Sequence, residues 1–183
     1  GLLMFAPLGS GGRRFRARQA TVSAVAIVGA IVLAFSVPQL PPEFVAYGRF
    51  TPTRGIDANV IYMGEGLTAS IAVSEQENGI LTYHNAGKAQ ATTYPQDMRL
   101  QRMLGHLTTL VPENPNSVLV IGLGSGITAG AVSIDPATER VVIAEIEPLV
   151  AQVASEYFRV QNFGVVDNPK VEIHIDDGRH YLL

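Results

Sequence analysis

Cysteine is absent from the 183 residues, which excludes disulfide scaffolds, zinc ribbons and thiol nucleophiles. Histidine is scarce. His84, His106, His174 and His180 form no i, i+3 or i, i+4 pair, so the sequence carries no helical metal-ligand motif and no metal is expected. Positive charge is also short, at 13 Lys+Arg against 16 Asp+Glu. Four of those arginines, Arg13, Arg14, Arg16 and Arg18, sit near the start, where there is no acid. The rest of the chain is distinctly acidic. Phosphate neutralisation needs a cationic face, so nucleic acid is not an expected partner. With 47% hydrophobic residues the chain is too apolar to stay disordered.

Charge is missing altogether from residue 19 to residue 42, and residues 20–37 read ATVSAVAIVGAIVLAFSV. Eighteen helical residues span about 27 Å, close to the roughly 30 Å hydrocarbon core of a bilayer. The stretch is therefore expected to be a transmembrane helix, ended by Pro38, Pro41 and Pro42 and flanked by the arginine cluster. A secretory signal peptide and a buried core helix share this layout. The apolar opening GLLMFAPL favours the membrane, as the tail of an earlier span joined by a loop over residues 9–18. The expected location is the cell membrane, as an integral protein. Arginines on the cytoplasmic side would send the following domain outward, which leaves its side open.

Past a proline-rich stalk (residues 38 to 54) the pattern changes to short strands at 60–63, 68–73 and 80–83, with turns at Gly64-Glu65-Gly66, Asn78-Gly79 and Asn85-Ala86-Gly87-Lys88. This predicts a small antiparallel β domain. Residues 96–110 follow as an amphipathic helix whose Met98, Leu100, Met103, Leu104, Leu107 and Leu110 are expected to fill a core.

From residue 117 the period is β-α-β-α-β. The near-continuous apolar run SVLVI at 117–121 suits a parallel strand buried on both faces. Helix 127–134, strand 140–144, helix 148–158 and strand 171–175 complete the alternation. The expected fold is α/β: an N-terminal transmembrane helix, a small antiparallel β domain, then the first half of a Rossmann-like (class I methyltransferase-like), doubly wound parallel sheet. The corresponding domain boundaries are 1–42, 43–95 and 96–183.

Ligands of such sheets bind at the carboxyl ends of the strands. Gly122-Leu123-Gly124-Ser125-Gly126 follows the first strand and lets backbone approach a ligand closely. Glu145, 21 residues beyond Gly124, is spaced to accept both hydroxyls of a ribose. Glu147 reads as an acid at a helix N-terminus, which the helix dipole favours. At the third strand end, Asp176 or Asp177 can accept a hydrogen bond from an adenine amino group, or can cap the helix that follows. The turn lacks the Lys-Ser/Thr of a P-loop and there is no arginine for a 2′-phosphate. A nucleoside without phosphates is implied, such as S-adenosylmethionine or its decarboxylated form, and its cationic sulfonium suits the acidic surroundings.

The run Gly87-Lys88-Ala89-Gln90-Ala91-Thr92-Thr93, the helix ending before Pro112-Glu113-Asn114-Pro115, VLVIGLGSG at 118–126, Ala144-Glu145-Ile146-Glu147 and Ile175-Asp176-Asp177-Gly178 together resemble the spermidine synthases, or polyamine aminopropyltransferases. The resemblance covers roughly residues 59–183, and the upstream apolar segment resembles the membrane-fused bacterial members. It implies transfer of an aminopropyl group from decarboxylated S-adenosylmethionine to a polyamine or other amine, and homodimers. It also implies that Gln90 contacts the aminopropyl end, Glu145 the ribose and Asp177 the adenine, with Gly122, Gly124 and Gly126 shaping the pocket. The carboxylate that helps deprotonate the amine lies near a fourth strand in that family. It is expected beyond this fragment, so no catalytic residue is assigned.

Three positions depart from the family. Ser125 stands where an aspartate normally holds the aminopropyl cation, and Leu100-Gln101-Arg102 stands where Tyr-His-Glu or Tyr-Gln-Glu is usual. An arginine facing a polyammonium ligand would repel it. Two alternatives follow: a methyltransferase using S-adenosylmethionine itself, and a non-catalytic membrane protein that binds a nucleoside or polyamine.

Overall fold

The computed structural model describes residues 11–38, 40–50 and 58–183, with side chains from Arg18 onward. The opening residues read as the tail of an earlier span, residues 51–54 of the stalk, and the first part of the 9–18 loop lie outside the described residues. Contacts divide the chain into two units, one up to Leu40 and one from Pro41.

The first unit is one helix, α1 (Gly11–Ser36). The expected loop over residues 9–18 is helical from Gly11 onward, because nothing in Gly11–Arg18 breaks the ladder that the apolar run propagates. Its Arg18–Ser36 portion is long and apolar enough to cross a membrane, and none of it is buried.

The second unit opens with α2 (Pro42–Tyr47) and a 3-10 turn at Gly48–Phe50. The stalk is thus partly helical. Pro42 occupies the first helical position, where its missing N–H costs nothing. Ala46 is fully buried. Tyr47 meets the His84 ring edge-on at 4.8 Å, and its hydroxyl lies 3.3 Å from Ser74 Oγ. Ser74 Oγ and His84 Nε2 share a buried hydrogen bond of 2.8 Å, so His84 is a core histidine.

The antiparallel sheet runs in the order β1 (Ala58–Glu65), β2 (Ser70–Gln76), β3 (Leu81–Asn85), β4 (Lys88–Thr92). α3 (Pro95–Leu110) leads to the parallel sheet β5 (Ser117–Ile121), β6 (Arg140–Glu145), β7 (Val171–Ile175), whose strands lie in sequence order. α4 (Ile127–Ser133) and α5 (Pro148–Tyr157) are the crossovers, and α6 (Gly178–Tyr181) follows β7. Sequential strands joined by right-handed crossovers place both helices on one face. That face carries Val118, Val141 and Ile143, which join Val132, Val150 and Val153 in one core with Ile71, Val73 and Tyr83 of the antiparallel sheet. Tyr83 and Phe158 meet edge-on at 6.5 Å across that junction.

Two burial expectations differ among the described residues. Leu119 and Ile121 on the far side of β5 are 36% and 61% exposed, and β5 is paired by β6 alone. On α3 the apolar stripe points outward, with Leu100, Met103, Leu104, Leu107 and Leu110 all exposed, so the core-filler reading of Met103 fails. The helix buries Gly105 and Thr109 instead. A Cβ on Gly105 would lie 2.5 Å from the Thr128 carbonyl oxygen, so the small-residue side is where α3 and α4 approach closely.

Candidate functional site

The strand tips are laced together by backbone before any side chain acts. The Gly122 amide donates to the Ala144 carbonyl at 2.8 Å, and the Asp176 amide donates to the Glu145 carbonyl at 3.0 Å. Parallel pairing of β5, β6 and β7 thereby continues one residue past each strand and brings the three loops side by side.

Glu145 then fixes the turn. Its carboxylate is buried; Oε2 accepts from the Leu123 amide at 2.7 Å and Oε1 from the Glu147 amide at 3.0 Å. The side chain faces the glycine turn. Each oxygen spends one lone pair on backbone and keeps one, so the group can still accept from a pair of hydroxyls. Gly122 has φ +82° with nothing within 4 Å of where a Cβ would stand, so its glycine is required by conformation alone. Gly126, at φ +79°, is also crowded: a Cβ would lie 2.9 Å from Asn162 Nδ2.

Asn162 is a residue that sequence reasoning missed. Fully buried, it donates through Nδ2 to the Ser125 carbonyl at 3.0 Å and to the Ala154 carbonyl at 2.8 Å. It accepts from the Gly164 amide at 3.0 Å. The Asn-Phe-Gly turn, with Phe163 at φ +58° and Gly164 at φ +65°, was the available signal.

At the third tip, Asp177 caps α6 by accepting from the Arg179 amide at 2.9 Å. The Arg179 guanidinium also grips it, Nε to Oδ1 at 3.2 Å and Nη2 to Oδ2 at 2.7 Å. These hydrogen bonds hold its carboxyl at about 2, below the ordinary 3.8. Asp176 Oδ1 accepts from the Asp177 amide at 2.8 Å, and its Oδ2 lies 2.8 Å from His180 Nδ1.

These pieces surround one pocket of about 320 Å³, lined by Ile121, Gly122, Ala144, Glu145, Ile146, Asp176, Asp177, Gly178 and Arg179. Gly122, Glu145, Asp176 and Asp177 of the sequence-predicted set are thus brought together. Gly124, Ser125, Gly126 and Gln90 do not line it. Gln90 is exposed on β4, and the Ser125 hydroxyl is buried, donating to Gln101 Oε1 at 3.0 Å. Arg102 does not act as an exposed repulsive charge. Its guanidinium lies 4.9 Å over the Phe163 ring and donates through Nη2 to the Gln161 carbonyl at 3.4 Å.

Glu147 is more than an acid at a helix end. It accepts from the Leu149 amide as the cap of α5, and from the Thr68 amide at 2.7 Å and hydroxyl at 2.9 Å across from the β1–β2 connection. Burial pushes its carboxyl up, but those hydrogen bonds outweigh burial and hold it below the ordinary carboxylate range.

A three-stranded parallel sheet with a glycine turn after its first strand and acids at the next two tips is the first half of a Rossmann-like, class I methyltransferase-like domain. Residues 97–183 match the spermine/spermidine synthase domain. That match places residues 97–183 in the spermine/spermidine synthase domain family.

Over 91 residues it is 35% identical to a polyamine aminopropyltransferase of Thermoanaerobacter sp. (strain X514), covering 50% of this chain and 32% of that protein. Over 127 residues it is 32% identical to a spermidine synthase of Schizosaccharomyces pombe, covering 67% and 41%. A solved spermidine synthase in complex with the transition state analogue AdoDATO is similar with a TM-score of 0.61 and 29% identity, over 67% of this chain and 42% of that one. The chain therefore spans about a third to two fifths of the length of the relatives it matches.

Proposed function

We propose that this protein transfers an aminopropyl group from decarboxylated S-adenosylmethionine to a polyamine. The observation that carries the reading is the buried Glu145 carboxylate, turned toward the glycine loop at the head of a pocket shared by three strand tips. About 320 Å³ sits at the small end of the range for small-molecule sites.

In this reading Glu145 accepts both ribose hydroxyls, Gly122 lets the sugar edge approach backbone, and Asp177 faces the adenine amino group while Asp176 supports it. Gly124, Gly126, Ser125 and Gln90 belong to the donor's other end, where the sulfonium carries the aminopropyl chain. The antiparallel part (43–95) supplies one wall and the Rossmann-like part (96–183) the nucleoside floor. The amine must lose a proton before it attacks the carbon beside the sulfonium, because an ammonium has no lone pair; methylthioadenosine then departs. We also place the protein in the cell membrane through α1, as a homodimer.

One observation favours a second reading. Ser125 is neutral and its hydroxyl is spent on Gln101, so that position offers no carboxylate to a cationic aminopropyl group. Intact S-adenosylmethionine, and methyl transfer, would meet no obstacle there. Calorimetry with the full-length protein and both nucleosides separates the two. At least tenfold tighter binding of the decarboxylated donor is expected, and a preference for the carboxylated one would overturn the aminopropyl assignment. Binding of both without turnover of either would make the protein a binding module.

A further inference from the structure

Asp177 is the carboxylate that the nucleoside reading assigns to adenine, yet most of its acceptor capacity is already taken, with one lone pair left on Oδ2. Oδ1 receives the Arg179 amide and Nε, and Oδ2 receives Nη2. The guanidinium belongs to a side chain that is 90% exposed, and Arg179 itself lines the pocket. It is a planar, two-pronged contact within a short helical turn, not a link to another element. Nothing else ties Arg179 down among the hydrogen bonds of the described residues. Asp176, by contrast, is engaged on its far side by His180 and takes no bond from Arg179.

We propose that Arg179 is a specificity-determining latch on the base end of the pocket, which competes with the amino group of adenine for the Asp177 carboxylate. The inference rests on the nucleoside reading of this pocket. While the latch is closed, the base edge meets a neutralised carboxylate that neither rewards a 6-amino group nor repels a 6-oxo group. Once it opens, two acceptors would oppose each other if a 6-oxo purine were bound, whereas a 6-amino purine donates. The latch therefore lowers both affinity and base discrimination. Because the contact is an exposed ion pair, salt weakens it. Salt should then help a neutral nucleoside to bind, the opposite of what an ordinary electrostatic contact to ligand would give.

The test is calorimetry on the full-length protein with the uncharged probe 5′-methylthioadenosine and its hypoxanthine counterpart, at low and high salt. Arg179→Met is expected to bind the adenine probe about three- to fivefold tighter, in keeping with the strength of an exposed pair. It is also expected to widen the preference over hypoxanthine and to lose the salt-induced gain. Arg179→Lys, which keeps charge but not the planar fork, should fall between. Adding Asp177→Asn should abolish the difference between arginine and methionine. If the wild type binds the probe and Arg179→Met binds it equally or more weakly, with unchanged salt response, the latch is wrong. If neither protein binds the probe at all, the nucleoside reading itself fails and the latch falls with it.

Discussion

Glu145 holds the fold through two backbone amides and, in the proposed reading, also holds the ligand. Removing it strips the Leu123 and Glu147 amides of their acceptor as well as taking the proposed partner of the ribose, so a loss of affinity alone would be ambiguous. The informative comparison is between 5′-methylthioadenosine and its 2′,3′-dideoxy analogue. Wild type should prefer the ribose form by about 10- to 100-fold, since a hydrogen bond to a charged group contributes about 1.5–3 kcal/mol. Glu145→Ala should bind both analogues equally weakly. If Glu145→Ala retains the ribose preference, the hydroxyls are held elsewhere. At this scale Glu145 was legible because its distance from the glycine turn follows from the length of a β-α-β unit. Asn162 was not, because it acts on carbonyls 37 and 8 residues away that no local pattern reports.

Between elements, one contact that links the antiparallel sheet to the strand-tip loops is Glu147 with Thr68, 79 residues apart in sequence. A Cβ on Gly66 would come within 2.3 Å of the Glu147 carboxylate, so the β1–β2 connection is shaped to receive it. Since the Glu147 amide also holds Glu145 Oε1, the hairpin helps to set the carboxylate proposed for ribose. Glu147→Gln should lower stability by about 1–3 kcal/mol near neutral pH, the cost of weakened bonds to buried donors. The sign of its pH dependence follows from the depressed folded-state value. Above the ordinary value of 4.5 the contribution is fully present, and it is lost as pH falls through the lower folded-state value. Thermal melts should therefore show a gap between wild type and Glu147→Gln that is full at pH 7 and shrinks below pH 4.5. A gap independent of pH would show that the carboxylate charge plays no part.

The elements themselves divide by physics into those the sequence exposes and those it hides. Strands β5 and β7 match their predicted spans and β6 gains one residue, because apolar runs bounded by turn residues leave little freedom. β4 (KAQAT) was not read as a strand, since alternating small and polar residues carry a weak period. α2 was read as stalk because prolines dominate its start. The face of α3 was assigned by hydrophobicity, whereas Gly105 and Thr109 win the interface through close approach.

For the whole molecule, the two units differ in what stabilises them. The second has its own core running from Ile71 to Val165, while every side chain described in α1 is exposed. Large apolar residues such as Val25, Val28, Val32 and Phe35 stand 60–89% exposed along it. At about 25 cal/mol per Å², leaving such a helix in water is costly, and its length matches a bilayer, which supports the proposed membrane placement. Arginine at the centre of a membrane helix costs about 2.5–3.5 kcal/mol, so Val28→Arg with Val32→Arg imposes about 5–7 kcal/mol against insertion. If α1 anchors the protein as proposed, the wild type should remain in a carbonate-washed membrane pellet and the full-length double variant should leave it. An intact mass of the membrane-bound wild type that retains α1 would set aside a cleaved signal peptide. Retention of the double variant in the pellet to the wild-type extent would mean that another part of the protein carries the attachment.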